Sequence, residues 1–237
     1  MDTSDLKHHY SQQFNSELEE IRSAVLAMGG LVEHQLTTAV ASLSNADIES
    51  AESVVANDYR VNAADVEIDE RCTGIIALRQ PTASDLRLVL AVIKITADLE
   101  RIGDEAKRVA RMAIRSAGGD DGRNLFGQIA HLGERVQQML QKGLDAFARM
   151  DVDAAIRVAH EDVIIDREYE SVMRQGITYM MEDPRSIPGV LDLIAAARSL
   201  ERIGDRCCNI SEYVIYFVKG KNVRHVSLDQ IKKEFAE

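Results

Sequence analysis

Tryptophan is absent from this chain, proline occurs three times, and aromatic residues make up only 5% of it. With 46% hydrophobic and 28% charged residues, these scarcities exclude a disordered or proline-rich chain and disfavour a sandwich fold. They leave a soluble helical protein. Cysteine is also sparse. Cys72, Cys207 and Cys208 form an odd set without a CxxC pair, which argues against a disulfide framework and a zinc knuckle and for reduced structural thiols. The six histidines are scattered and form no HExxH pair. No GxxxxGK[ST] loop offers a phosphate cradle, and no Ser or Cys nucleophile has an evident base, so the chain is not expected to be an enzyme.

Apolar stretches such as Ile194 to Ala197 are far too short to span a bilayer, and Met1-Asp2-Thr3-Ser4-Asp5 lacks the basic and apolar parts of a leader. The net charge of −11, with no basic patch visible along the sequence, repels phosphate backbones and anionic membranes. The expectation is a cytoplasmic protein that binds no nucleic acid and touches membranes only through partners.

What the sequence does have is helical periodicity. Phe14, Leu18, Ile21, Val25, Met28, Val32, Leu36, Val40 and Leu43 alternate in steps of three and four, the seam of a long amphipathic helix. Met28-Gly29-Gly30 is expected to bend it. Ser44-Asn45 reads as a turn and cap, followed by a second helix from about Ala46 to Leu78 that stops at Gln80-Pro81. Thr82, three residues before Asp85, has cap spacing and opens a third helix that runs to Gly118-Gly119. The plan then repeats, with helices over about Asn124 to Met150, Val152 to Met181 and Ser186 to Lys219, closed by Gly220. Leu-Glu-Arg-Ile-Gly-Asp occurs at Leu99 to Asp104 and again at Leu200 to Asp205, which marks an internal duplication. The fold class expected is all-α, six helices in two tandem three-helix bundles. Their boundaries are 1–119 and 120–220, with 221–237 a loosely held polar tail.

Glu100 and Asp104 lie one turn apart, as do Glu201 and Asp205, so each pair projects from one helix face. Like charges kept at that spacing call for a compensating cation, and oxygen ligands suit magnesium, manganese or iron. Asp58, Asn62, Asp65 and Asp69 on the second helix, with Asp162 and Asp166 in the second half, can supply further oxygens. Arg and Lys are the competing explanation. Lys107 and Arg108 can neutralise Asp104, and Arg198 can neutralise Glu201. A di-iron carboxylate oxidase would need Glu-x-x-His, and only Asp5 stands three before a histidine, His8. A metal-storing bundle remains the alternative reading.

The two Glu-Arg-Ile-Gly-Asp strings, together with Arg79-Gln-Pro-Thr-Ala-Ser-Asp-Leu-Arg87, resemble the PhoU family of phosphate-uptake regulators over nearly the whole chain. The resemblance implies two three-helix bundles, a homodimer, and metal ions on the ExxxD pairs. It also implies a negative regulator of the phosphate-starvation response that links a phosphate ABC transporter to its sensor histidine kinase. The family pattern continues with Asn one turn after the pair, a place taken by Asn209 in the second copy and Arg108 in the first. Spacing and resemblance together make Glu100, Asp104, Glu201, Asp205, Asn209, Asp58, Asp162 and Asp166 the candidate metal set, and Asp85 and Arg87, at the opening of the third helix, are candidates for partner contact.

Overall fold

The structure, a computed structural model, describes residues 3–116, 123–224 and 226. Every long element among them is helical: α1 (Thr3–Asn45), α2 (Ile48–Asn57), α3 (Tyr59–Arg79), α4 (Ala83–Ser116), α5 (Arg123–Arg149), α6 (Val152–Glu182) and α7 (Ile187–Lys219). One 3₁₀ turn, Pro184–Ser186, precedes α7. The expected stop at Gly118-Gly119 lies outside the described residues. Among the described residues, no helix is long and apolar enough to cross a membrane.

The seam of α1 is its core face, with every apolar residue of it from Leu18 to Leu43 buried. The turn after α1 differs from expectation. Ala46 takes a left-handed φ of 54°, and Asp47 is the cap, its Oδ1 accepting the Ser50 N–H at 3.1 Å. The Ser44 hydroxyl instead donates back to the Val40 carbonyl at 2.9 Å, the local bond that makes serine a poor cap when it sits one turn too early. The second half copies this turn, with Met150 at φ 56° and Asp151 accepting the Ala154 N–H at 2.9 Å.

The helix expected over 46–78 is interrupted at Asp58. The Asp58 carbonyl receives both the Val61 N–H at 3.0 Å and the Asn62 N–H at 3.3 Å, so the coil tightens where its carboxylate turns inward. At the start of α4 the cap bond is made by backbone, Asp85 N–H to the Thr82 carbonyl at 3.1 Å, rather than by the Thr82 hydroxyl. The tail is better held at its root than expected. Val223 is buried and Val226 packs against the core, so the root of the tail adds apolar burial to the bundle.

Helices α1 to α4 form one bundle and α5 to α7 the other, and their apolar residues make one contiguous core. The bundles meet along α4 and α7, which run antiparallel, and where α1 crosses α5. That second crossing is a glycine contact made twice. A Cβ on Gly29 would lie 2.8 Å from Leu144 Cδ1, and one on Gly133 would lie 2.6 Å from Val40 Cγ1. α1 continues as one helix through Met28-Gly29-Gly30, and Gly29 serves the close approach of α5.

Candidate functional site: paired carboxylate clusters

Each repeated motif lies on the helix that joins the two bundles, and its glycine faces the helix before it. A Cβ on Gly204 would be 3.2 Å from Asp162 Oδ1. One on Gly103 would be 3.1 Å from Gln35 Oε1 and 3.7 Å from Asp58 Oδ1. Glycine at these positions therefore lets an aspartate from α6, or from the break before α3, lie against the backbone of the motif helix. That is the physical reason for Gly inside Glu-Arg-Ile-Gly-Asp, and it shows that Asp58 and Asp162 occupy matching places.

In the first copy an ammonium fills the space between the acids. Lys107 Nζ donates to Asp58 Oδ2 at 2.6 Å and to Asp104 Oδ1 at 3.2 Å. Gln35 Nε2 reaches Asp58 Oδ1 at 3.4 Å. The hydrogen bond to buried Asp58 raises the Lys107 ammonium above its ordinary range, so it stays charged. Glu100, at the edge, is raised by burial and then by Asp104, Asp65 and Asp58. Asp65 is itself raised, by burial and by Asp69. Arg108 does not pair with Asp104. Its guanidinium turns to Glu105 at 2.6 Å, because a residue four beyond Asp104 lies over the α7 side of α4, whereas Lys107 lies over Asp58.

The second copy lacks that ammonium, and Cys208 stands where the first copy has Lys107. Asp162 and Asp166 of α6 face Glu201 and Asp205 of α7. Burial, then Asp205, Asp166 and Glu201, push the Asp162 carboxyl up to about 7. Asp205 is raised by burial and by Asp166. Glu201 is raised by burial and by Asp205, partly offset by Arg198 at 2.6 Å, the pairing expected from sequence. Burial and the nearby Asp162 hold the Cys208 thiol at about 12, so it stays protonated. Asp162 Oδ1 and Glu201 Oε2 are buried with no hydrogen-bond partner. The two orphaned carboxylate oxygens are hard oxygen donors of the chemistry a divalent cation prefers, and in the first copy Lys107 supplies a compensating positive charge. Among the described residues, no three acidic, histidine or cysteine side chains are grouped closely enough to hold a metal ion.

The remaining expected residues lie elsewhere. Asn209 bonds to Asp98 across the α4–α7 seam. Asp85 lies in the first turn of α4, with Ser84 Oγ 3.4 Å from its Oδ1. Arg87 Nε donates to the Phe217 carbonyl at 3.4 Å, closing the end of α7. Asp98 and Glu105 were not singled out from sequence, although both are buried acids in the seam. Their signal is an acid on the apolar face of an amphipathic helix.

The crowding predicts a pH dependence. The folded chain keeps a proton on Asp162 that the unfolded chain releases near 3.8, so stability falls as pH rises between about 4 and 7 and is lowest above that window. Without divalent cations, the melting temperature should drop by about 2–4 °C from pH 6 to pH 8, the shift worth about 1 kcal/mol after solvent screening. Asp162→Asn should abolish the drop and melt higher than the parent at pH 8. An unchanged slope in that variant would contradict the assignment.

The model of the PhoU domain matches this chain twice, over residues 25–113 and 129–214. The chain belongs to the PhoU family. The phosphate-specific transport system accessory protein PhoU of Escherichia coli (strain K12) is 50% identical over 236 residues, covering 100% of this chain and 98% of that relative. Its homolog from Pseudomonas aeruginosa is 52% identical over 229 residues, 97% and 95% of the two chains. The crystal structure of PhoU from Pseudomonas aeruginosa matches with a TM-score of 0.85 at 51% identity, over 88% of this chain and all of that one. The phosphate transport system regulatory protein PhoU of Streptococcus pneumoniae matches with a TM-score of 0.83 at 30% identity, over 89% and 99%. The two domain matches coincide with the two bundles, and the paired carboxylate clusters are their shared internal feature.

Proposed function

We propose that this protein is a cytoplasmic accessory regulator of a phosphate-specific transport system. The observation that carries the reading is the double PhoU-domain match together with curated relatives of that description, aligned end to end at about half identity. The protein works as an adaptor without catalysis, as a homodimer. It binds the transporter and a phosphate-sensing histidine kinase, and when phosphate is plentiful it favours the state of the kinase that keeps phosphate-starvation genes off.

In this reading Asp162, Asp166, Glu201 and Asp205 hold a magnesium, manganese or iron ion that neutralises the acids and fixes α6 against α7. A storage role is not favoured, because the first cluster already contains its own ammonium in Lys107. Deleting the gene should switch on a phosphate-starvation reporter in phosphate-rich medium, and the wild-type gene should restore repression. A reporter that stays fully repressed in the deletion strain would overturn the regulatory reading.

A further inference from the structure

Residue by residue the sequence shows no basic patch, but folding assembles one. Between Ala91 and Ser116 of α4 every exposed residue is a cation: Lys94, Arg101, Arg108, Arg111 and Arg115. Four of them recur every seven residues, so they stand in one line that drifts only about 20° per step. The line is about 30 Å long at 1.5 Å per residue.

Helix α7 widens this line into a strip. Asp98 Oδ1 lies 3.4 Å from both Arg101 and Arg206, and Glu105 Oε1 lies 2.6 Å from Arg108 and 3.3 Å from Arg202. The two acid side chains are only 2% and 11% exposed, while the four guanidiniums keep 35% to 57% of their surface in water. Four arginines thus share two sunken carboxylates. Each guanidinium has five N–H donors, so the positive surplus and most of the donor capacity face outward.

We propose that this outer face of α4 and α7 is a docking surface for an acidic polypeptide segment, held by arginine–carboxylate pairs. Charge complementarity supplies the first ground. In a chain of net charge −11 this is a local field of opposite sign, the arrangement that steers a small anionic partner to one place. The choice of arginine supplies the second, because a planar fork pairs two-pronged with a carboxylate. The shape of the strip argues against a membrane. Asp104 and Asp205 border it on its two sides, so a broad anionic plane would meet repelling charges, and the exposed line on α4 carries no apolar residue to insert. The inference rests on this strip alone and does not depend on a cation in either cluster.

The test uses the full-length protein and a fluorescein-labelled glutamate homopolymer, with binding followed by fluorescence anisotropy at low and raised salt. One variant carries Lys94→Gln, Arg111→Gln and Arg115→Gln, which spare the four arginines bound to Asp98 and Glu105. A matched variant carries Arg71→Gln, Arg167→Gln and Arg174→Gln on α3 and α6, and circular dichroism confirms that both fold. The wild type should bind, more weakly as salt rises. The α4 variant should bind about tenfold more weakly, the sum of three partly screened charge contacts, and the matched variant should bind as the wild type does. No binding by the wild type, or equal losses in both variants, would overturn the proposal. So would tighter binding to phosphatidylglycerol vesicles or a short DNA duplex, which would assign the strip to a lipid surface or a nucleic acid.

Discussion

Replacing Lys107 with methionine is expected to destabilise the protein by about 2–3 kcal/mol, the loss that follows when a buried charge pair is left with one partner. Methionine keeps the length and packing of the lysine stem, so the change isolates the ammonium. The Asp58 side chain is only 5% exposed, and without Nζ at 2.6 Å its carboxylate keeps, among the described residues, the Gln35 amide at 3.4 Å. The loss should appear as a lower urea midpoint with an unchanged slope. Manganese should restore part of the lost stability, because the variant turns the first cluster into a copy of the second. A midpoint equal to the parent's would show that Lys107 is a dispensable surface contact.

Gly133→Ala is expected to cost about 2 kcal/mol, although alanine in a helix is worth about 1 kcal/mol more than glycine on propensity alone. The added methyl would lie 2.6 and 2.8 Å from the two Val40 methyls and 3.3 Å from its Cβ. Valine is branched at Cβ and held to one rotamer in a helix, so it cannot turn aside and α5 must move away from α1. Gly29→Ala should cost less, since the opposing Leu144 contacts are to the free end of its side chain. Gly30→Ala meets nothing within 4 Å and should raise stability by about 0.5–1 kcal/mol. Thermal melts of the three variants would read this order. A stabilising Gly133→Ala would contradict the close crossing.

The helices themselves were legible because burial of one face forces a three-and-four spacing on the sequence. The seam from Leu18 to Leu43, the proline stops and the repeated motif all carried that pattern. The caps were less legible. Ser44 and Asp47 are both good cap residues, and only the positive φ of Ala46 decides between them. The carboxylate pairs could be read from their one-turn spacing, but their compensation could not. Lys107 and Arg108 are neighbours in sequence, and the fold sends one to Asp58 of the second helix and the other to Glu105 over the seam. Asn209 was likewise grouped with Asp205 by spacing, whereas Asp98 from the other half is its partner. Contacts between halves have no local signal. The cationic line on α4 did have one, a seven-residue repeat that a search for basic runs passes over.

The claim that the second cluster takes a cation where the first holds Lys107 is tested most directly by manganese titration. The measurement is calorimetric, on the metal-free protein, on a Glu201→Gln, Asp205→Asn variant and on a Glu100→Gln, Asp104→Asn variant. The account predicts saturable binding that is lost in the first variant and kept in the second. Binding that survives Glu201→Gln, Asp205→Asn, or that disappears with Glu100→Gln, Asp104→Asn instead, would contradict it.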